Sequence, residues 1–192
     1  MCYSLRAARH LRGTARHTRV MAAWRAGHRS TPPPPDDMNQ IRGCLATDVN
    51  ITGAEQERTA IHEAGHVLIA AARGVRVISV ELHRVNGEGL AGVGDTASDL
   101  DQAWIAYGGP IAERVIYGNY EPRATHPGQE DLLLAREASR RANLGNLDVM
   151  RQVDRFLQEH REGLELVAGQ LLDNTSLQGN ELHMLLHEAL ST

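Results

Sequence analysis

The chain has 192 residues, enough for one domain, and 42% of them are apolar, so a packed core can form. All 20 basic residues are arginine, and the absence of lysine excludes a conventional P-loop ATPase, whose motif ends in G-K-[ST]. Cys2 and Cys44 are too few for a disulfide framework, and no stretch approaches the roughly 18 consecutive apolar residues of a membrane span, so we expect a cytoplasmic location without a membrane helix.

The beginning of the chain differs in composition from the rest. Its first 35 residues contain seven arginines and no acid, and they end in the Pro32–Pro35 run. Such a segment cannot bury enough apolar surface to fold, so we predict a disordered leader at 1–37 and a folded domain at 38–192. Four interpretations of the leader stay open: an organelle transit peptide, a nucleic-acid-binding arm, an unspecified tail, or a start assigned too early, with Met38 as the natural first residue. We favour the last, and we expect no nucleic-acid partner.

The first predicted element of the domain is a helix of about 20 residues. Thr52 and Glu55 form a T-x-x-E capping box, which predicts a helix start near residue 53. Apolar residues recur at helical spacing after it, and Gly74 is a natural end. This helix contains the sequence His62-Glu63-Ala64-Gly65-His66.

The H-E-x-x-H pattern is typical of zinc peptidases. Two histidines four residues apart on a helix lie only about 40° apart around its axis, so both imidazoles can reach one metal ion. Glu63 projects beside that face, where its carboxylate can act as general base on a zinc-bound water. Two surface histidines on an ordinary amphipathic helix would give the same pattern, so the motif alone leaves both interpretations open.

Residues 75–94 predict a β-hairpin after this helix. Val75–Val85 is rich in branched apolar residues, and Asn86-Gly87 favours a hairpin turn. Residues 87–94 contain G-x-G-x-x-G, but a dinucleotide fold needs that pattern to open a helix directly after a strand. We predict instead a Gly-rich second strand at the edge of the site, able to pair with an extended peptide substrate.

The rest of the chain is predicted to be helical. A helical pattern over Asp99–Tyr117 is interrupted at Gly108-Gly109-Pro110, and another helix runs from Gln129 to about Asn143. Three further helical segments follow, with a turn at Gly179. The predicted fold class is therefore α+β and mainly α-helical, with a zincin-like HExxH helix, a small β-hairpin or sheet and a C-terminal helical bundle.

Four motif blocks, in order over about residues 55–190, resemble the peptidase domain of FtsH-type AAA proteases. They are Thr59–His66, Gly108–Glu113 with Tyr117-Gly118, Gly128–Leu132, and Leu177–Leu182 with Leu185-Leu186. The chain departs from the family pattern at Pro110, and its 192 residues contain neither the membrane anchor nor the ATPase module. These missing modules argue against processive degradation of folded proteins.

Two histidines leave zinc short of its usual three protein ligands. The resemblance implies that Asp131, in a G-x-x-x-D context near a helix start, completes the set with His62 and His66 around Zn²⁺. Glu63 would be the general base, with water in the open position. We interpret Glu113 as an acceptor that orients a ligand imidazole, the alternative being a helix-surface acid.

The other histidines are not assigned to the site. We interpret His126 as a solvated loop residue rather than a contact to the site or substrate. The remaining ones considered are interpreted as surface residues: His83, His160, His183 and His187.

The predicted function is a zinc metalloendopeptidase of the HExxH type, without ATPase activity of its own. Its substrates would be peptides, unfolded segments or chains delivered by a separate ATPase partner. The resemblance implies a homo-oligomer, because the relatives assemble as hexamers. One alternative is a non-catalytic or regulatory zinc-binding module that keeps the fold, against which the intact ligand set and Glu63 argue. Another is a different HExxH protease type, which the later motif blocks disfavour.

Overall fold

The computed structural model describes residues 53–83, 88–96, 98–118 and 128–192. Within these ranges the chain is mainly helical, with a small three-stranded antiparallel sheet, which confirms the predicted α+β class. The elements in chain order are α1 (Gly53–Ala72), β1 (Val77–His83), β2 (Glu88–Val93), α2 (Asp99–Tyr117), α3 (Gly128–Arg141), α4 (Asn146–Glu159), α5 (Arg161–Asn174), β3 (Ser176–Gln178) and α6 (Gly179–Ala189). The predicted leader at 1–37, its boundary with the domain, and Thr52 lie outside the described residues.

Helix α1 is the central element of the fold. Its residues from Thr59 to Ala70 are all buried, because the helix packs against α2, α5, β1 and β2. A helix that is buried on every side is typical of a protein core rather than of a surface. Gly74 follows it with φ of +70°, a left-handed conformation that ends the helix as predicted. The HExxH sequence therefore lies in the most enclosed helix of the described chain.

Helix α2 is one continuous helix, so the predicted interruption at Gly108-Gly109-Pro110 is wrong. Ser98 caps its start by accepting a hydrogen bond from the Asp101 amide at 3.1 Å. Gly118 ends it with φ of +76°. A proline inside a helix removes one backbone hydrogen bond. Here tertiary packing overrides that local cost, because the segment is buried against α1.

The α1–α2 contact depends on glycines that face each other. A Cβ added to Gly108 would lie 2.7 Å from the carbonyl oxygen of Gly65. A Cβ added to Gly65 would in turn overlap the backbone of Gly108. Both positions therefore need glycine for the two backbones to approach this closely. Gly65 belongs to the HExxH sequence, so the crossing places α2 beside both histidines.

The sheet has the strand order β2-β1-β3, with both pairs antiparallel. The β1–β2 pairing confirms the predicted hairpin, whose turn at 84–87 lies outside the described residues. Because the Gly-rich stretch forms β2 rather than opening a helix, the dinucleotide pattern has no structural support. Strand β3 is an addition to the prediction, in which the chain after Asp99 is helical. Local patterns do not indicate β3, because its partner β1 is far away in the sequence.

The C-terminal helices complete the core with ordinary apolar packing. The predicted segments are confirmed as α4, α5 and α6, whose buried faces carry leucines, valines and small residues. Helix α3 packs mainly on α2, which brings its first turn towards α1. Across the described ranges, no helix has the length and apolar character needed to cross a membrane.

Candidate metal centre

Three predicted ligands converge at the start of α3. His62 and His66 project from one side of α1, and Asp131 projects from the first turn of α3. Their exposed fractions are only 1%, 3% and 5%. The Oδ2 atom of Asp131 lies 3.0 Å from His62 Nε2 and 3.5 Å from His66 Nε2. The three buried side chains are therefore close enough to bind one metal ion.

The donor set is compatible with one divalent metal ion, and its three ligand atoms all lie within 4.8 Å of one another. Zinc binds histidine nitrogen and carboxylate oxygen at about 2.0–2.2 Å, so two ligand atoms on one tetrahedral ion lie about 3.4 Å apart. The two distances from the Asp131 oxygen, 3.0 and 3.5 Å, lie on either side of that value. Two nitrogens and one oxygen would leave a fourth position, as in catalytic rather than structural zinc sites.

The outer nitrogen of each imidazole is held by an oxygen of α2. His62 Nδ1 lies 2.7 Å from Glu113 Oε1, and His66 Nδ1 lies 2.6 Å from the carbonyl oxygen of Ile105. A backbone carbonyl and a carboxylate accept hydrogen bonds, so Nδ1 is the donor in both rings and Nε2 faces Asp131. Metal-binding histidines commonly have such partners, which fix the tautomer and the ring orientation.

The groups around His62 favour the protonated, positively charged form of its imidazole. Burial lowers the pKa of the imidazole, but hydrogen bonds to Asp131 and Glu113 and the charges of Asp131 and Glu63 raise it to about 10. Burial raises the pKa of Asp131, but hydrogen bonds from both histidines and their charges hold it well below its usual range. The cluster is thus an environment for a cation.

Gly109 leaves the space in front of the two imidazoles free of a side chain. A Cβ added there would lie 2.5 Å from Nε2 of both His62 and His66. That is too close for any side chain, so the residue has to be glycine while the rings keep these positions. The sequence identified the double glycine only as part of a motif block, and it gave no indication that Gly109 borders the candidate ligands.

Glu63 lies against the edge strand β2. Its side chain is 5% exposed, and a Cβ added to Gly89 would lie 2.7 Å from its carboxylate carbon and from Oε1. The backbone of β2 can pass this close only because Gly89 has no side chain. The structure therefore places the Gly-rich strand at the edge of the site, as the sequence predicted.

The other histidines in the described residues do not join this cluster. In the described part of the chain, the group of His62, His66 and Asp131 is the one set of three or more side chains placed to hold a metal ion. His126 lies outside the described residues. His160 stacks on Phe156 with the ring centres 4.3 Å apart, and His183 Nε2 lies 3.1 Å from the carbonyl oxygen of Val77.

No model of a known protein family matches the chain, and no curated protein matches it significantly in sequence. The resemblance to the peptidase domain of FtsH-type proteases therefore rests on the four motif blocks. The function has to be argued from the geometry of the site.

Proposed function

We propose that the protein is a zinc-dependent endopeptidase of the FtsH peptidase type, in which a zincin-like HExxH helix supplies two ligands and the general base. The observation that carries the proposal is the convergence of three buried ligands beside a buried Glu63. Carboxylates are costly to bury unless they are paired or bind a cation. A centre that gathers Glu63, Glu113 and Asp131 around two imidazoles is well suited to a divalent metal.

His62, His66 and Asp131 would hold the zinc, and a bound zinc ion would supply Lewis acidity towards a substrate carbonyl and a water molecule. Glu63 accepts the proton of the attacking water and later gives it to the leaving amine nitrogen. Glu113 and the Ile105 carbonyl keep the two imidazoles oriented throughout. The burial of these groups limits competing water and strengthens each electrostatic contact.

The position of β2 suggests how a polypeptide would bind. In the described part of the chain, β2 pairs with β1 on one side and with no strand on the other. An extended segment can add to such an edge through main-chain hydrogen bonds, largely independently of its sequence. The passage of β2 over Glu63 at Gly89 would bring its backbone carbonyls to the base. Substrates would be peptides, unfolded segments or chains delivered by a separate ATPase, and the resemblance supports a hexameric homo-oligomer.

Replacing Glu63 by glutamine tests the assigned base. We expect Glu63→Gln to keep its zinc, since Glu63 is not a ligand, while cleavage of unfolded casein falls about 10²–10⁴-fold. Zinc content and the cleavage rate are measured on the same preparation. Glu159→Gln, the same change at an exposed position in the last turn of α4, is the matched control and should change neither.

The wild type distinguishes the endopeptidase from the non-catalytic alternative. Removal of metal by a chelator should abolish cleavage, and added zinc should restore it. A wild type that holds one zinc ion but cleaves no unfolded protein would support a zinc-binding module without catalysis. Wild-type cleavage by Glu63→Gln would refute the proposed mechanism.

A further inference from the structure

Each carboxylate oxygen of Glu113 lies near a side-chain nitrogen of α1. Oε1 lies 2.7 Å from His62 Nδ1, and Oε2 lies 3.5 Å from Arg58 Nη1. We propose that Arg58 is a positioning residue of the metal centre, which acts on His62 through Glu113. This inference rests on the metal-binding part of the proposed function.

Burial explains why Glu113 needs a cationic partner. Its side chain is fully buried, and that of Arg58 is 12% exposed. A buried carboxylate without a compensating charge costs several kcal/mol, on the order of the penalty for other buried ions. With a metal on Nε2, the His62 imidazole is neutral, so it can donate a hydrogen bond to Glu113 but cannot balance its charge. Arginine can, because its guanidinium stays protonated at all ordinary pH values.

The charges of the whole centre lead to the same assignment. Three buried carboxylates surround the imidazoles, those of Glu63, Glu113 and Asp131. A divalent metal would balance two of these negative charges. Arg58 supplies a third positive charge at Glu113, one of the two carboxylates, with Glu63, that the proposed ligand set leaves outside the coordination sphere.

Arg58 is itself held at this place by both helices. It precedes His62 by four residues, about one turn of α1, so both side chains project towards the same part of α2. Its guanidinium carbon lies 4.5 Å from the centre of the Tyr117 ring, within range of a cation–π contact. The Tyr117 hydroxyl in turn donates to Glu57 Oε1 at 3.3 Å. The guanidinium is therefore fixed by the ring as well as by Glu113.

The chain offers a matched control at the other end of the same helix pair. Arg73 contacts the Asp101 carboxylate at 2.6 Å, and its guanidinium lies 5.0 Å from the centre of the Trp104 ring. This is the same combination of an ion pair and a ring contact, but Asp101 contacts no proposed ligand in the described structure. Arg58→Met and Arg73→Met therefore remove equivalent contacts, with and without a connection to His62.

The test compares zinc affinity in these full-length variants by competition with a chelator. We expect Arg58→Met to weaken zinc binding about 10-fold, at the lower end of the range for lost outer contacts to metal ligands. Arg73→Met should leave the affinity within about 2-fold of wild type. Arg58→Lys keeps the charge but loses the planar fork and the stacking, so an intermediate loss is expected. This variant keeps the test decisive if Arg58→Met does not fold.

A second measurement reports on the position of the His62 ring directly. In the metal-free protein, the Nδ1 proton of His62 should give a protected, downfield NMR signal in wild type and in Arg73→Met. It should be broadened or lost in Arg58→Met. Because this readout needs no zinc, it shows whether Arg58 positions the His62 ring even if the wild type binds no metal. Absence of metal binding would refute the proposed function and with it the metal centre, but not the contact from Arg58 through Glu113 to His62.

The route through Glu113 is tested in a Glu113→Gln background. There Arg58→Met should change zinc affinity by less than about 2-fold, since the intermediate carboxylate is already gone. An equal loss in both backgrounds would show that Arg58 does not act through Glu113. Unchanged or tighter zinc binding by Arg58→Met in the wild-type background would also overturn the proposal, and tighter binding would show that Arg58 merely repels the metal.

Discussion

The two ends of the α1–α2 pair use the same contacts for different purposes. At the site end, Arg58 contacts Glu113 and the Tyr117 ring. At the cap end, Arg73 contacts Asp101 and the Trp104 ring. Arg58 belongs to α1 and Arg73 directly follows its last residue, whereas both carboxylates and both rings belong to α2. Each end therefore has one ion pair and one cation–π contact, and these two interaction types alone do not distinguish the ends.

The difference lies in the second oxygen of each carboxylate. Asp101 Oδ2 accepts a hydrogen bond from the Ser98 hydroxyl at 2.7 Å, which completes the cap at the start of α2. Glu113 Oε1 faces His62 instead, and through it the candidate metal centre. An arginine–carboxylate pair is therefore structural or functional according to the group that the other carboxylate oxygen contacts. The following variants test this distinction.

The largest effect is expected from the carboxylate that would bind metal directly. Asp131→Ala should lose zinc, because it removes one of three ligands and their only oxygen donor. Glu113→Ala should weaken zinc binding about 10–100-fold by releasing the His62 ring. Asp101→Ala should keep wild-type zinc affinity, because its carboxylate belongs to the cap end. Metal analysis after dialysis and chelator competition measure all three.

The outcome of this series can also reassign the roles. Full zinc retention in the Asp131 variant, together with loss in the Glu113 variant, would exchange the ligand and the orienting residue. Zinc loss in Asp101→Ala without unfolding, which circular dichroism would detect, would show that the two ends are coupled and that the comparison fails.

A smaller effect on zinc affinity is expected from Gly109, which lies between the two ends, where α1 and α2 cross. Gly109→Ala should displace both imidazoles, because its Cβ would lie 2.5 Å from each Nε2 atom, and zinc affinity should fall at least about 10-fold, as other losses of ligand orientation do. Gly169→Ala is the matched control, since this exposed glycine in α5 has no neighbour within 4 Å of an added Cβ. It should bind zinc normally and gain about 1 kcal/mol in the free energy of unfolding. Normal zinc affinity in Gly109→Ala would mean that the rings can move at little cost.

The contacts that distinguish the two ends were only partly predictable. Local patterns predicted α1 with the HExxH residues and the β1–β2 hairpin, because helical periodicity and turn chemistry act over a few residues. Asp131 required the resemblance, since no local rule connects a first-turn aspartate of α3 to histidines in α1. The predicted interruption of α2 at Pro110 is wrong, because burial against α1 outweighs the low helix propensity of proline.

Other features of the fold and the site could not be predicted from the sequence, for physical reasons. The Ile105 carbonyl is a backbone atom, and every residue has one, so no residue type marks its contact with His66. Strand β3 has only three residues and depends entirely on its distant partner. Arg58 is one of 20 arginines, and only its position one turn before His62 sets it apart. Such features follow from how α1 and α2 pack, which single-sequence periodicity does not determine.

The smallest expected effect is at the cap end. It concerns how the free energy of unfolding depends on pH through Asp101. Burial raises the pKa of Asp101, but hydrogen bonds from Ser98 and Arg73 and the charge of Arg73 lower it below its ordinary value. A carboxylate whose pKa is lower in the folded than in the unfolded state stabilises the fold above its unfolded pKa of about 3.9, and this contribution is lost as the pH falls through the folded pKa. Asp101→Asn keeps an acceptor oxygen but loses the charge, so it should lower the free energy of unfolding by about 1 kcal/mol at neutral pH. The difference from wild type should shrink below about pH 4.

Urea unfolding at a series of pH values measures this difference. A chelator is added to both proteins, so that loss of metal in acid does not contribute to either curve. Because Asp101 contacts none of the candidate ligands in the described residues, the zinc affinity of Asp101→Asn at neutral pH should equal that of the wild type. A stability difference that stays constant down to pH 3 would show that the Asp101 charge does not stabilise the fold. The cap end would then depend on packing of Arg73 against Trp104, and its likeness to the site end would be one of geometry without a shared electrostatic role.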